Sequence, residues 1–178
     1  SDRYGKAVGP CALTGENFPI LSENYCGLFN TFAHIARNIV AHAAEPRDMR
    51  ADQGKPAALT VAVDTQKYRR DGQEWMRICF ADDGSGIDAR VLRARLLHQS
   101  DDAPQYVNAS DEEILQYIFG DHISMREQVD ELAGRGVGMG AIKAAAEQLG
   151  GTVRLESEPR QYTRLTVDVP LIWTVPQR

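Results

Sequence analysis

Four side chains that can bind metal or phosphate recur at every fourth position between residues 30 and 42. They are Asn30, His34, Asn38 and His42. At 3.6 residues per turn, this spacing predicts one polar stripe along a helix. An asparagine amide oxygen suits a magnesium ion that carries phosphates, and an imidazole can donate hydrogen bonds to phosphate oxygens. The stripe therefore indicates either one wall of a phosphate pocket or a solvated helix flank.

A second group of candidate residues follows an alternating apolar run. It reads Asp82-Asp83-Gly84-Ser85-Gly86. A carboxylate at the end of a strand can accept a hydrogen bond from the amino group of adenine, and it would repel the carbonyl of guanine. Glycines would let the base approach the backbone closely. The same residues are also typical of a plain turn, so both interpretations remain open here.

A third group, Gly134 to Gly140, has glycine at every second position. Such a segment at the start of a helix can direct its amides toward an anion. Residues 136–141 also match the Gly-x-Gly-x-x-Ala dinucleotide fingerprint, with Glu156 about 20 residues further on. That fingerprint needs a buried strand before it, and residues 125–133 contain four charged side chains. We therefore favour an anion-binding loop over a dinucleotide site.

Four main helices are predicted from apolar residues spaced three and four apart. They cover Tyr25 to about Ala44, about Asp88 to His98, a segment beginning at Ser110, and about Met139 to Leu149. Pro46 ends the first helix. Ser110 and Glu113 have the spacing of a capping box, which marks the start of the third.

Alternating apolar residues predict four strands. They lie around Leu59 to Val63 and Met76 to Phe80, at Thr152 to Glu156, and at Leu165 to Val169. A hairpin connection is expected over Gln66 to Gln73, which contains Asp71-Gly72. The order of these elements predicts a two-layer α/β sandwich in which helices cover one face of a mixed sheet.

The remaining segments are predicted to be irregular. They are residues 1–23, with room for one short strand, Pro46 to Pro56, Ser100 to Ala109, and Gly120 to about Ala133, which we expect to be mobile. All 178 residues are predicted to form a single domain. Because the chain begins at Ser1 rather than methionine, we expect it to be a fragment of a longer, multidomain protein.

Composition excludes several classes of protein. The net charge of −5 argues against a large nucleic-acid-binding face. No apolar run approaches the roughly 20 residues that cross a bilayer, so membrane insertion is not expected. Three scattered cysteines suit neither a disulfide framework nor a zinc site. A cytoplasmic location fits these features.

Taken together, the three groups resemble the asparagine box and the two glycine boxes of the GHKL ATPases. That family includes histidine kinases, gyrase, the Hsp90 chaperones and MutL, and it has the Bergerat α/β sandwich fold. The sequence is most similar to the ATP-binding catalytic domain of CheA-like chemotaxis kinases. Ser110 to Leu115 and Leu149 to Pro159 also resemble that group, and the resemblance extends from about Tyr25 to Leu171.

This resemblance implies a role for each matching residue. Asn38 would bind Mg²⁺, while His34 and His42 would face the phosphates of ATP, with His34 also assisting transfer. Asp82 would hold the adenine amino group. The other expected ATP-binding residues are Gly84, Gly86, Gly134, Gly136, Gly138, Met139 and Thr163, and residues 120–133 would form a lid.

The sequence departs from the family pattern in several places. Ala41 stands where aspartate is usual, Ala43 and Gly140 replace a glycine and a common aspartate, and residues 120–124 lack the usual Pro-Gly-Phe-Ser run. Arg160 and Tyr162 replace glycines before Thr163. These changes affect the expected lid more than the core nucleotide residues.

The implied function is that of a two-component histidine kinase domain in a chemotaxis-type pathway. It would transfer the γ-phosphate of ATP to a histidine on a separate phosphotransfer domain, in cis or in trans, and a response regulator would act downstream. An alternative is a catalytically weak or inactive nucleotide-binding regulatory module. A GHKL serine kinase or an ATP-driven clamp is a third reading, although clamp families usually append a transducer domain.

Overall fold

The computed structural model describes residues 6–99, 103–120 and 138–173, which form one five-stranded sheet with helices. The strands are β1 (Val8–Gly15), β2 (Leu59–Arg70), β3 (Gln73–Asp82), β4 (Thr152–Glu158) and β5 (Tyr162–Pro170). Their order across the sheet is β1-β2-β3-β5-β4. Only β1 and β2 pair in parallel, and the other neighbours are antiparallel. The predicted mixed sheet is confirmed.

Six α-helices are described. They are α1 (Cys26–Asn38), α2 (Arg47–Asp52), α3 (Ala89–Gln99), α4 (Ala103–Asn108), α5 (Asp111–Gln116) and α6 (Met139–Gln148). A 3₁₀ turn, Ser22–Tyr25, precedes α1, and a wider π turn, Ile39–Ala43, continues it. A second 3₁₀ turn, Tyr117–Phe119, follows α5. None of these helices is long and apolar enough to cross a membrane.

The main hydrophobic core lies between the helices and one face of the sheet. Its most buried side chains come from both layers: Leu28, Leu92, Ile114, Ile142, Leu155, Val167 and Val169. On the opposite face, β3 and β5 present polar side chains, and Arg77 forms a two-pronged ion pair with Asp168. One apolar and one polar sheet face confirm the predicted two-layer sandwich.

The capping box was predicted correctly. The hydroxyl of Ser110 accepts the backbone N–H of Glu113 at 3.2 Å, and the Glu113 carboxylate accepts the N–H of Ser110 at 2.7 Å. These reciprocal bonds satisfy two donors at the first turn of α5.

The hairpin predicted over Gln66 to Gln73 is confirmed, but its turn is shorter than expected. Strands β2 and β3 pair up to Arg70 and Gln73, so only Asp71 and Gly72 form the turn, with φ of 52° and 81°. The polar residues of this hairpin form cross-strand contacts, including stacked Tyr68 and Trp75 rings 6.4 Å apart. Side-chain pairing therefore extends the strands beyond their apolar part.

Other irregular segments contain more structure than predicted. The lead-in, where one short strand was expected, holds an eight-residue strand, β1. The expected loop over Pro46 to Pro56 contains α2, and the expected loop over Ser100 to Ala109 contains α4. Both helices have six residues, which is too short for an apolar period to be visible. Residues 121–133 of the expected lid lie outside the described part of the chain.

Candidate functional site

Asp82 is the last residue of β3, and its side chain is directed toward the helix layer. It is 7% exposed, and its Oδ1 accepts the backbone N–H of Gly84 at 3.0 Å. Burial raises the pKa of the Asp82 carboxyl to about 6, and the Gly84 hydrogen bond opposes this shift only in part. At neutral pH the group is mostly ionised, yet it is poorly compensated. A ligand that donates a hydrogen bond would stabilise it.

Asp82 belongs to a polar row that crosses three strands. It pairs with Thr163 on β5, and Thr163 pairs with Ser157 on β4. The next row on the same face is apolar and consists of Phe80, Leu165 and Leu155. An apolar surface that ends in polar side chains is suited to a flat heterocycle with a hydrogen-bonding edge. Thr163 therefore lies beside Asp82, on the neighbouring strand.

The glycine loop after Asp82 is packed against the end of the α1 region. A side-chain carbon on Gly84 would overlap the carbonyl oxygen and Cβ of Ala43. The backbone N–H of Ser85 donates to the Ala43 carbonyl at 3.1 Å, and the Ser85 hydroxyl donates to the His42 carbonyl at 3.0 Å. The asparagine-box region and the first glycine box, which are some 40 residues apart in sequence, are thus in direct contact.

The same loop also contacts the β4–β5 hairpin. Gly86 has a φ of +63°, and a Cβ there would overlap the carbonyl of Glu158. The N–H of Arg160 donates to the Ser85 carbonyl at 2.7 Å. Arg160 has a φ of 61°. This is the left-handed region, which glycine adopts at less cost than other residues.

Asn38 meets the start of α6. Its Nδ2 lies 3.4 Å from the sulfur of Met139, and a Cβ on Gly138 would be 3.7 Å from the same nitrogen. Gly138 is the N-cap of α6, whose first-turn amides can face an anion. His34 is half-buried one turn before Asn38, and His42 is exposed one turn after it. Gly134 and Gly136 lie outside the described residues.

The side chains at this site suit a metal ion that is bound mainly by the phosphates of a nucleotide. Among the described residues, no group of three or more His, Cys, Asp or Glu side chains could hold a metal ion. The Asn38 amide uses its nitrogen toward Met139, which leaves Oδ1 to act as a single protein ligand. Magnesium in phosphate sites commonly has one or two protein ligands, with phosphate oxygens and waters completing the shell.

An ionic cluster behind the glycine loop was missed by the sequence analysis. Arg50 of α2 is fully buried. Its guanidinium donates to the Asp83 carboxylate at 2.9 Å and to the Asp83 carbonyl at 3.3 Å. The side chain of Lys55 donates to the Gly84 carbonyl at 2.7 Å. Glu45, which is 5% exposed, accepts from both cations.

This cluster holds the backbone of the glycine loop through the carbonyl oxygens of Asp83 and Gly84. Burial alone would raise the pKa of Asp83, but hydrogen bonds from the Thr60 N–H and from Arg50 outweigh it and hold that pKa below its usual value. Asp82 and Asp83 are therefore adjacent carboxylates with opposite pKa shifts. The sequence showed only a charged loop at residues 46–56, without a period that would place Arg50 inside.

Two surface cavities are present among the described residues, and the second includes Ser157 and Leu155, which belong to the polar and apolar rows beside Asp82. One of about 540 Å³ is lined by Gln105, Glu113 and Lys143 among others. Another of about 470 Å³ runs along β4 past Arg154 and Glu156. Asp82 lines neither cavity. The candidate site is therefore defined by its side-chain chemistry and packing rather than by cavity volume.

Comparison with known proteins shows which family this chain belongs to. Residues 27–172 match the family described as histidine kinase-, DNA gyrase B-, and HSP90-like ATPase. The chain is 33% identical over 175 residues to the chemotaxis protein CheA of Rhizobium meliloti, covering 98% of this chain and 22% of that protein. It is 36% identical over 142 residues to the gliding motility regulatory protein of Myxococcus xanthus, covering 79% of this chain and 18% of that one.

A solved structure with a similar fold is the catalytic domain of histidine kinase ThkA. It aligns with a TM-score of 0.55 and 11% identity, over 90% of this chain and 78% of that one. This similarity concerns the fold alone. The chain spans only about a fifth of the length of the two sequence relatives.

Proposed function

The chain belongs to the histidine kinase-, DNA gyrase B- and HSP90-like ATPases as a CheA-like member, and from this premise we propose that it binds Mg·ATP and supplies the γ-phosphate to a histidine on a separate phosphotransfer domain. The observation that carries the proposal is that the described residues of the three boxes adjoin one another. The Asp82 loop contacts the end of the α1 region, and Asn38 contacts Met139, next to Gly138. Base-binding and phosphate-binding groups therefore adjoin one site.

The base would be bound at the polar row. Asp82 would accept a hydrogen bond from the adenine amino group, and a hydrogen bond to a charged group contributes about 1.5–3 kcal/mol. Thr163 lies beside it, and the apolar row of Phe80 and Leu165 would contact the ring face. Gly84 and Gly86 keep the loop close to its neighbours, because any side chain there would displace it.

The phosphates would be bound between α1 and α6. Asn38 Oδ1 would hold Mg²⁺, which bridges phosphate oxygens and neutralises the charge that develops during transfer. The amides around Gly138 and Met139, at the positive end of the α6 dipole, would face the same anion. His34 and His42 lie on the Asn38 stripe, where His34 would orient the transferred group and His42 would donate to phosphate.

The acceptor would be supplied by another domain, in cis or in trans, and a response regulator would receive the phosphate next. Phosphoryl transfer depends on positioning and charge stabilisation more than on covalent chemistry by the protein. The proposed setting is a cytoplasmic two-component chemotaxis pathway. Its support is the similarity to the relatives named above, each of which is several times longer than this chain.

Calorimetric titration tests the nucleotide part of the proposal. We expect Mg·ATP to bind the wild-type chain and GTP to bind much more weakly, because a 6-carbonyl would face the Asp82 carboxylate. The variant Asp82→Asn should lose ATP binding. Asp71→Asn is the matched control, since it makes the same change in an exposed turn where asparagine tolerates a positive φ. A folded wild-type chain that binds no ATP would contradict the proposal.

A further inference from the structure

The Ser157 hydroxyl, in the row that begins at Asp82, has three polar neighbours. The backbone N–H of Ile87 lies 2.8 Å from its Oγ, the carbonyl oxygen of Tyr162 lies at 2.7 Å, and Oγ1 of Thr163 lies at 3.1 Å. Ile87 directly follows the glycine loop, while Tyr162 and Thr163 begin β5. Ser157 thus connects segments that surround Asp82.

The chemistry of these neighbours fixes the direction of each hydrogen bond. A serine hydroxyl has one hydrogen and two acceptor lone pairs. The Ile87 N–H can only donate, so it occupies one lone pair. The Tyr162 carbonyl can only accept, so it takes the Ser157 hydrogen. The remaining contact must therefore run from the Thr163 hydroxyl to the second lone pair of Ser157.

This direction determines what Thr163 offers to a ligand. Its single hydroxyl hydrogen is directed toward Ser157, on the side away from Asp82, because Thr163 lies between the two in the row. Its lone pairs remain available as acceptors. The ionised Asp82 carboxylate also only accepts. This end of the row therefore presents acceptors alone, which match the two N–H groups of a 6-amino purine and offer no donor to a 6-carbonyl.

We propose that Ser157 is a specificity-determining positioning residue, which keeps the Thr163 hydroxyl an acceptor and so favours 6-amino over 6-oxo purine nucleotides. This inference rests on the adenine-binding role proposed above for Asp82. Ser157 acts through Thr163 and need not touch the nucleotide itself.

The test is the ratio of the affinities for Mg·ATP and Mg·ITP, measured by calorimetry. Inosine triphosphate replaces the 6-amino group by a carbonyl and keeps the same sugar and phosphates. In Ser157→Ala, the Thr163 hydrogen is free to turn toward that carbonyl. We expect the ATP-to-ITP ratio to fall about three- to tenfold, which corresponds to one neutral hydrogen bond. Ser157→Thr retains the hydroxyl and should keep the wild-type ratio.

A double variant separates this role from a structural one. Thr163→Val removes the acceptor itself and should lower the ratio, and adding Ser157→Ala to it should then change the ratio no further. An equal loss of affinity for both nucleotides in Ser157→Ala, with the ratio unchanged, would overturn the inference while leaving the proposed function intact. If Ser157→Ala does not fold, Thr163→Val decides alone, and an unchanged ratio overturns the inference. A wild-type chain that binds neither nucleotide would refute both.

Discussion

The carbonyl oxygen of Ala43 occupies the position into which any side chain on Gly84 would point. This contact joins the end of the π turn to the loop that carries Asp82. We expect Gly84→Ala to displace the loop, to destabilise the fold by about 1–3 kcal/mol, and to weaken ATP binding strongly. Chemical denaturation and calorimetry would measure the two effects.

Gly27 provides the matched control for this glycine substitution. A Cβ on Gly27 meets no atom within 4 Å, and the residue lies in the first turn of α1. Gly27→Ala should therefore leave ATP binding unchanged and stabilise the fold by up to about 1 kcal/mol. Equal behaviour of the two variants would contradict the role of the Ala43 contact.

Because the pKa of Asp82 is raised, we predict that Asp82→Asn loses ATP binding and at the same time gains folding stability. The unfolded carboxyl titrates near 3.8 and the folded one at about 6, so the folded state binds the proton more tightly. Stability conferred by this group is therefore lost as the pH rises from about 4 to 6, and above that range its ionisation costs about 3 kcal/mol. Asp82→Asn removes the charge.

We therefore expect Asp82→Asn to be more stable than the wild type at pH 8 and about equally stable near pH 4, although it no longer binds ATP. Urea denaturation at the two pH values measures this difference. A variant that is less stable than wild type at pH 8 would show that the ionised carboxylate is well compensated in the free protein.

Because Arg50 is buried in an ionic cluster, we expect its substitution to cost much folding stability. Arg50→Met leaves Glu45 buried and removes the donor to the Asp83 carboxylate and carbonyl. Breaking a buried pair by removing one partner costs about 3–5 kcal/mol. The matched control is Arg90→Met, because Arg90 pairs with Asp88 from a side chain that is 80% exposed. The unfolding midpoint of this variant should hardly move. Similar unfolding midpoints for both variants would refute the role of the ionic cluster in holding the glycine loop.

As the proposed Mg²⁺ ligand, Asn38 should make nucleotide binding depend on Mg²⁺. In the wild type, removal of Mg²⁺ by a chelator should weaken ATP binding, while in Asn38→Ala the affinity should be low and nearly independent of Mg²⁺. Asn30→Ala is the control, because Asn30 lies two turns earlier on the same stripe and is exposed. A Mg²⁺ dependence that survives in Asn38→Ala would exclude this residue as the ligand.

Local patterns predicted the elements that hold the site, but not the tertiary contacts that shape it. Apolar spacing and glycine placement are local features of the sequence. They were therefore enough to predict the α1 stripe, the end of β3 and the N-terminus of α6. Arg50 was not, because its burial depends on Glu45, Asp83 and Gly84, which come together only in the folded chain. Ser157 was missed for the same reason: its partners Ile87 and Thr163 lie on other segments.

The most direct test of the central claim is phosphate transfer from γ-labelled ATP. The wild-type chain is incubated with Mg·ATP, alone or with an isolated histidine-containing phosphotransfer domain, and acid-labile label is followed on each protein. We predict label on the acceptor histidine, none on this chain by itself, and no transfer by Asp82→Asn or Asn38→Ala. ATP binding without transfer to any such acceptor would contradict the kinase assignment and support a nucleotide-binding regulatory module instead.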